Sequence, residues 1–260
     1  MLYSVHVVIV DYMKASRVLR SVASVISQSC NDIIITVFDN SCSDENYKIL
    51  SDGLPKSVRL FKSSENLGYT RAVNYAVRGV KSSYVLLLNP DIVFEGVSDF
   101  QILLDNFSDS DVLMVGPAQI NDDGTRPSTA RGYPALLDLI AKRSFLKKIP
   151  YFRRRIESYL LAGFNYNERQ SVPWLQSSCV FVDYDFWIRI GGLDERFFLF
   201  MADIKICQLA YDLGGKVIYD PAVTVLADGK RCSEGGLRTI INNKPLQYHV
   251  RDAIRYYINI

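Results

Sequence analysis

The chain has 260 residues, a net charge of +2 and a hydrophobic fraction of 48%. That length suits one large domain or two small ones, and 22% charged residues excludes a disordered composition. A charge so close to zero gives no electrostatic reason to expect a nucleic-acid partner. The five cysteines are scattered and include no CxxC pair. They argue against a zinc site and a disulfide framework, and favour a reducing cytosol.

The apolar N-terminal stretch, MLYSVHVVIVDYM, lacks a basic leader region and a small-residue cleavage site. It therefore predicts a first strand and not a secretory leader. No apolar run reaches the ~18 residues that a membrane span needs. We expect a cytoplasmic protein, either soluble or bound peripherally to the inner face of the plasma membrane.

Strands and helices alternate along the first part of the chain. The predicted elements are strand 5–10, helix 16–27, strand 32–40, helix 46–54, strand 58–63, helix 69–80 and strand 83–89. This order predicts an α/β fold with a mainly parallel sheet and helices on both faces. Residues 121–170 are loop-rich. After them come predicted strands at 178–182 and 216–221 and predicted helices at 203–214 and 245–260.

Polar side chains follow the predicted strands at the points where the strands end. Ligands of open parallel sheets bind at the carboxyl ends of the strands, so these side chains predict a ligand site. They are Asp11, Tyr12, Asp39, Asn40, Asn66, Asn89 and Asp91.

Six segments carry a family resemblance through their order and spacing. They are VVIVDY, VFDNSCSD, ENLGYTRAVNYAV, YVLLLNPDIVF, IGGLDERFFLFMADIKICQLAYDLG and VIYDPAVTV. Together they resemble the family 2 glycosyltransferases, and within them the bacterial rhamnosyltransferases that build surface polysaccharide. The resemblance implies an inverting, nucleotide-sugar-dependent enzyme of the GT-A (Rossmann-like) fold. It implies a nucleotide-sugar-binding half at 1–115, an acceptor-binding and catalytic half of the same domain at 116–235, and a C-terminal helix at 236–260 for which a membrane-proximal place is one option.

Asn89-Pro90-Asp91 resembles a variant of the family's DXD motif. Pro90 cannot donate a ladder hydrogen bond and so ends the strand. The resemblance implies that Asp91 binds Mg²⁺ or Mn²⁺ bridging the donor diphosphate. The alternative is a simple turn, for which these residues are equally suited.

The donor pocket implied by the resemblance lies around Asp39, which would accept from N3–H of a pyrimidine base. Asp11 and Tyr12 would wall the base and ribose. For Asp44 we favour a helix N-cap. The other implied donor-binding residues are Asn40, Asn66, Gly68, Arg71, Asn74 and Asn89. Gly68 suits a tight turn, and Arg71 would lie near the phosphates or, alternatively, form a surface salt bridge.

The general base implied by the resemblance is Asp203, whose alternative is a helix N-cap. Besides the single carboxylate of Asn89-Pro90-Asp91, two family positions depart from the pattern. Ala202 replaces the first residue of an acidic pair, and Ala227 replaces a histidine near the diphosphate. Lys230 and Arg231 could contact phosphate instead.

Trp174 and Asp194 are the implied acceptor-binding residues, the alternatives being a core aromatic and a turn cap. Residues 142–155 interleave basic and aromatic side chains. They predict either a solvated basic face or a segment that lies on anionic lipid.

We expect transfer of a sugar, first of all L-rhamnose from dTDP-rhamnose, to a hydroxyl of a lipid-linked (polyprenyl-linked) glycan. UDP-linked sugars stay open. A catalytically silent nucleotide-binding or scaffold subunit is the alternative. A nucleotidyltransferase is disfavoured because VDYMKASR has no glycine.

Overall fold

The computed structural model describes residues 4–30, 32–142, 144–229 and 243–258. Lys230, Arg231 and the first part of the 236–260 region therefore lie outside the described residues.

The strands are β1 (Ser4–Asp11), β2 (Asp32–Asp39), β3 (Arg59–Lys62), β4 (Tyr84–Leu88), β5 (Val93–Phe94), β6 (Val112–Asn121), β7 (Ala130–Arg131), β8 (Gln170–Ser171), β9 (Trp174–Leu175), β10 (Cys179–Asp183) and β11 (Lys216–Ala227). The α-helices are α1 (Ala15–Ile26), α2 (Asp44–Gly53), α3 (Tyr69–Val77), α4 (Asp99–Leu104), α5 (Leu136–Lys142), α6 (Pro150–Tyr159), α7 (Tyr184–Ile190), α8 (Ala202–Asp212) and α9 (Lys244–Ile258). Short 3₁₀ turns cover Asp105–Ser108 and Phe145–Lys148.

Within the described residues, the central sheet has nine strands in the order β3-β2-β1-β4-β10-β6-β11-β5, with β8 paired to β11. Strands β1, β2, β3 and β4 are mutually parallel, and β6 pairs in parallel with β11. Strand β10 is antiparallel to both β4 and β6, so these two share one direction. The α/β fold with a mainly parallel sheet is confirmed.

Both faces of the sheet are buried, as the alternating side chains of β1 show. Val5, Val7 and Ile9 pack in one apolar cluster, whereas Val8 packs in the other. Helix α1 covers the first cluster with Val18, which is one turn from Val22. Truncating a fully buried leucine in such a core costs about 2–5 kcal/mol of folding free energy. The packed core therefore holds the ends of the strands in fixed positions.

The region 121–170 contains more structure than its loop-rich sequence predicts. Helices α5 and α6 lie there, and Pro150 occupies the first turn of α6, where its missing N–H removes no helical bond. The carboxylate of Asp138 is buried and accepts two hydrogen bonds from Arg155, which joins α5 to α6. Basic residues on exposed faces obscure the helical period in this part of the sequence.

Two predicted helix caps are wrong by one or two residues. Ser43, and not Asp44, caps α2 by accepting from the backbone N–H of Asn46 at 3.2 Å. Helix α8 is capped by Met201, so Asp203 lies inside its first turn.

None of the described helices is long and apolar enough to cross a membrane.

Candidate functional site

The carboxyl ends of β1 and β2 bring two buried carboxylates together. Asp11 and Asp39 are partners in the parallel register, and neither side chain is exposed. Nδ2 of Asn46, from α2, donates to Asp11 Oδ2 at 2.6 Å and to Asp39 Oδ1 at 3.1 Å. This amide bridges two groups that would otherwise repel each other.

The two carboxylates differ in how fully they are satisfied. Asp11 accepts from Asn46 through one oxygen and from the backbone N–H of Lys14 through the other. Burial raises the pKa of Asp11 above its ordinary value. Asp39 Oδ2 is buried, and no described residue donates a hydrogen bond to it. An orphaned buried acceptor is costly, so this oxygen of Asp39 has the capacity to accept one further hydrogen bond.

Asn40 braces the loop that enters α3. Its Nδ2 donates to Asn66 Oδ1 at 2.9 Å and to the Gly68 carbonyl at 3.2 Å, and its Oδ1 accepts from the backbone N–H of Leu67. Asn66 Oδ1 also accepts from the backbone N–H of Gly68. Asn40 and Asn66 therefore shape the edge of the site through the loop.

Gly68 has a positive φ of 79° and lies against Phe198. A Cβ placed there would be 2.6 Å from the Phe198 carbonyl oxygen. Both the conformation and the space require glycine.

Tyr12 follows β1 and is 56% exposed, so its ring lies open at the edge of the site. Met13 next to it adopts a left-handed conformation with φ of 59°, which is unusual for a side chain of this size.

The segment Asn89-Pro90-Asp91 forms a tight turn after β4. The backbone N–H of Ile92 donates to the Asn89 carbonyl at 3.2 Å, which is the bond of a β-turn. Asp91 Oδ1 lies 3.7 Å from Lys14 Nζ, and its side chain is 12% exposed. The turn holds this carboxylate at the carboxyl edge of the sheet, so the turn and a metal-binding role are compatible.

Asp228 adds a second carboxylate near this turn. Antiparallel pairing of Leu226 with Val93 brings the end of β11 beside it, and Asp228 forms an ion pair with Arg17 of α1. No cluster of three or more His, Cys, Asp or Glu ligands occurs among the described residues. Mg²⁺ commonly takes one or two protein carboxylates and completes its shell with water and phosphate. The donor set at Asp91 fits such an ion with a diphosphate bound.

Asp203 lies in the first turn of α8 and is partly buried. Burial raises its pKa to about 6, while the charge of Arg131 lowers it. Its Oδ1 accepts from the backbone N–H of Ile204 at 3.0 Å. Burial raises the pKa of the nearby Tyr69 to about 12, and the negative charge of Asp203 adds to this increase. A carboxylate with a pKa near neutrality has the properties of a general base.

Arg131 and Tyr69 near Asp203 were not predicted from the sequence. Tyr69 opens α3 and Arg131 belongs to β7, so nothing in their spacing relates them to Asp203. Ala202 and Ala227, at the two departures from the family pattern, are both buried in apolar clusters.

Arg71 and Asn74, both predicted to bind the donor, contact the loop at residues 193–195. Arg71 is exposed, with its Nε 3.8 Å from Glu195 Oε2, as the salt-bridge alternative expects. Asn74 donates to the Leu193 carbonyl and accepts from the Leu193 backbone N–H, both at 2.8 Å. The Asn74 amide is therefore committed to the loop, whereas Arg71 is 60% exposed and its role at the donor stays a prediction.

Trp174 and Asp194 also differ from expectation. Trp174 is buried, its Nε1 donates to the Gly132 carbonyl at 2.7 Å, and the Arg131 guanidinium covers its ring. It therefore offers no free face for a sugar, and the core alternative holds. Asp194 accepts three hydrogen bonds from the Arg196 guanidinium, two of them from Nε, and one from the Arg196 backbone N–H, as a turn cap does.

Comparison with known proteins gives relatives of one kind. Residues 6–170 match the family model described as "Glycosyl transferase family 2". The chain is 27% identical over 236 residues to the N-acetylglucosaminyl-diphospho-decaprenol L-rhamnosyltransferase of Mycobacterium tuberculosis, covering 85% of this chain and 74% of the relative. It is 23% identical over 254 residues to the rhamnosyltransferase WbbL of Escherichia coli K12, covering 89% and 90%.

Solved structures share the fold. The mannosyltransferase PcManGT from Pyrobaculum calidifontis, in complex with GDP-Man and Mn²⁺, matches 100% of this chain with a TM-score of 0.67 at 14% identity. GalNAc-T7 with UDP, GalNAc and Mn²⁺ matches 87% with a TM-score of 0.58 at 17% identity. This chain spans 65% of the first structure's chain and 43% of the second's. The fold is GT-A, and the chain belongs to glycosyltransferase family 2.

Proposed function

We propose that this glycosyltransferase moves a sugar from a nucleotide diphosphate to an acceptor hydroxyl with inversion of the anomeric centre. The proposal is carried by the match to glycosyltransferase family 2 and by the position of Asp203 in the first turn of α8, where burial raises its pKa to about 6. Inverting transfer needs one carboxylate that takes the hydroxyl proton as the oxygen attacks. Asp203 would be that base, and no enzyme nucleophile is required.

The donor nucleotide would bind at Asp39. Its Oδ2 is buried without a partner, and a pyrimidine N3–H is a donor that would satisfy it. Asn46 holds the other oxygen of Asp39, so the free oxygen has a fixed direction. Exposed Tyr12 would lie against the base or ribose, with Asp11 fixing the backbone beside it.

dTDP-L-rhamnose is the proposed donor. The support is that the relatives from M. tuberculosis and E. coli are both named rhamnosyltransferases. Uracil and thymine present the same N3–H, so Asp39 alone does not choose between UDP and dTDP.

Mg²⁺ or Mn²⁺ is the proposed cofactor, with Asp91 as its protein ligand. Both solved structures that share the fold hold Mn²⁺. When bound, such an ion supplies Lewis-acid stabilisation of the charge on the leaving diphosphate. In this chain Lys14 and Arg17 already place positive charge next to Asp91 and Asp228, at the edge where the diphosphate would lie.

The acceptor is proposed to be a lipid-linked glycan of bacterial surface polysaccharide. The M. tuberculosis relative is named for a decaprenol-linked substrate. The exposed basic-aromatic surface, within residues 142–155, would hold the protein at the membrane face. Phe145 is 75% exposed and Tyr151 61%, and Lys147 and Lys148 lie two and three residues after Phe145. Apolar rings beside lysines favour the interface of an anionic bilayer.

A catalytically silent nucleotide-binding subunit is the second candidate. It is favoured by Ala202 and Ala227, whose small side chains are packed in the core at two positions where the family carries functional groups. Two features disfavour a silent subunit. They are the buried oxygen of Asp39 without a hydrogen-bond donor and the raised pKa of Asp203, for which a protein without catalysis has no need.

The deciding experiment offers labelled dTDP-rhamnose and UDP-sugars, each with and without Mn²⁺, to polyprenyl-diphosphate-linked N-acetylglucosamine. Transfer by the wild type and its loss in Asp203→Asn would support the proposal. Asp183→Asn is a matched control because Asp183 is also partly buried with a raised pKa, but it caps α7. Nucleotide binding without transfer to any acceptor would favour the silent subunit.

A further inference from the structure

The strap, defined as residues 197–201, lies immediately before α8 and Asp203. One carboxylate from the C-terminal helix α9 binds three of its backbone amides. Asp252 Oδ2 accepts from the N–H groups of Phe198, Leu199 and Phe200 at 3.0, 2.9 and 3.0 Å. The Asp252 side chain is fully buried. A buried carboxylate that accepts several N–H groups forms strong, charge-assisted hydrogen bonds.

The opposite side of the strap binds the start of α3. The backbone N–H of Tyr69 donates to the Phe198 carbonyl at 2.6 Å, and Thr70 Oγ1 donates to the Phe197 carbonyl at 2.5 Å. Gly68 permits this close approach. The strap is therefore held between α3, which follows the donor-side loop, and Asp252.

Helix α9 reinforces the same contact with aromatic and basic side chains. Tyr248 packs on Phe198 with ring centroids 4.3 Å apart, and the Arg251 guanidinium lies over both rings. Arg251 also donates to Asp252 Oδ1 at 3.3 Å, which leaves Oδ2 to the strap. Arg255 donates to the Arg196 carbonyl just before the strap.

The strap ends in a conformation that needs external support. Met201 is in the left-handed region with φ of 71°, and Asp203 follows two residues later. A methionine in this region is strained and persists only where its surroundings fix it. On the side of α9, the hydrogen bonds to Asp252 hold the strap residues that directly precede Met201.

We propose that Asp252 is a positioning residue for Asp203, which it acts on by fixing the strap from the C-terminal helix. The inference rests on the proposed role of Asp203 as the base. It places α9 within the machinery that orients the acceptor-side base, although the match to the family model ends at residue 170.

Two variants separate this role from general stability. Asp252→Asn keeps the size of the side chain and removes the charge that strengthens three hydrogen bonds. The matched control is Asp220→Asn, since Asp220 is also buried and accepts from the backbone N–H of Ala222 and from Asn106, away from the strap. Thermal unfolding of both variants confirms that they fold, and Asp252→Glu tests rescue of the charge.

The readouts are hydrogen exchange of the 198–200 amides, kcat, nucleotide affinity and the pH profile. In Asp252→Asn we expect about tenfold faster exchange, a kcat lower by about tenfold to a hundredfold, and unchanged nucleotide affinity. We also expect the acidic limb of the profile to move to lower pH, because a loosened strap admits water to Asp203. Asp220→Asn should leave exchange of these amides, kcat and the limb unchanged.

Each other outcome has a definite consequence. Unchanged exchange in Asp252→Asn would overturn the anchoring role. Faster exchange with unchanged kcat and pH limb would overturn the positioning role. Absence of turnover in the wild type would overturn the proposed function, while the exchange data would still decide whether Asp252 fixes the strap.

Discussion

Asp11 and Asp39 stand opposite each other at the ends of two adjacent parallel strands, joined by a single amide from Asn46. The amide leaves one oxygen of Asp39 without a donor, whereas both oxygens of Asp11 are bound. Neighbouring residues of the same type therefore have different tasks. Asp11 fixes the turn into α1, and Asp39 keeps one oxygen that can accept a further hydrogen bond.

Asp39→Asn should weaken nucleotide binding. The amide cannot present the same charged acceptor, so we expect dTDP and UDP affinities to fall about tenfold to a hundredfold. Isothermal titration of the folded variant checks this. Asp44→Asn is the control, because Asp44 is exposed and pairs only with Lys62 at the surface. Equal affinities for wild type and Asp39→Asn would disprove the assignment.

Asp203 should set the acidic limb of the pH–rate profile. The base must be ionised to accept a proton, so kcat/KM should rise with pH through about 6 and level off above it. Asp203→Asn should lower kcat about 10²- to 10⁴-fold. Initial rates across a pH series give both quantities. A flat profile in the wild type between pH 5 and pH 7, about the expected midpoint, would contradict the role.

The same pKa predicts the effect of Asp203 on stability. A folded-state pKa above the unfolded value means that the folded protein binds the proton more tightly between about 4 and 6. Stability is therefore lost as the pH rises through about 6, because the buried group must ionise. Asp203→Asn should raise the melting temperature at neutral pH and lose that advantage below pH ~4. A melting temperature that falls equally at both pH values would refute this.

Gly68→Ala should be more damaging than Gly79→Ala. Both glycines have positive φ, at 79° and 75°, so both substitutions strain the backbone by a similar amount. A Cβ at position 68 meets the Phe198 carbonyl and ring, whereas nothing lies within 4 Å at position 79. We expect Gly79→Ala to cost about 1 kcal/mol and Gly68→Ala distinctly more, with loss of transfer. Urea unfolding of the pair provides the measurement, and equal losses would argue against a close fit.

The basic-aromatic surface should bind anionic vesicles. Phe145→Ser/Tyr151→Ser and Lys147→Gln/Lys148→Gln should each reduce cosedimentation with phosphatidylcholine vesicles that contain phosphatidylglycerol. Each lysine near such a surface contributes about 1 kcal/mol. Lys48→Gln is the control, since Lys48 lies on α2 and pairs with Asp52. Equal binding to vesicles of phosphatidylcholine alone would exclude electrostatic recognition.

Local patterns were sufficient for the first half of the fold. The strands and helices up to β4 lie within a few residues of their predicted bounds, because buried strands alternate with amphipathic helices there. The predicted caps were wrong for two reasons: Ser43 and Asp44 are adjacent and both suit an N-cap, and Met201 holds its position without a side-chain capping bond. Helix α6 was missed because its basic side chains dilute the apolar period, and α5 was missed because it has only seven residues, which is too short for a clear period.

The residue positions that strand pattern alone predicts well are those of carboxylates that follow a strand end. Asp39 and Asp91 belong to that class, and the structure keeps both at the carboxyl edge. Asn74 and Trp174 have side chains suited to ligand binding. In the structure, however, their N–H groups donate to the backbone carbonyls of Leu193 and Gly132. The contacts of Asp252 could not be predicted from the sequence, because its partners are backbone N–H groups, which every residue except proline carries.

The position of strand β10 in the sheet affects the order in which the sheet can form during synthesis. It fills the place between β4 and β6, with Cys179 opposite Leu88. During synthesis, the parallel strands β3, β2, β1 and β4 are therefore complete while one edge of β4 still lacks its partner. An apolar unpaired edge is prone to join other chains. A fragment that stops at residue 170, the end of the family match, would keep that edge open permanently and should aggregate rather than fold.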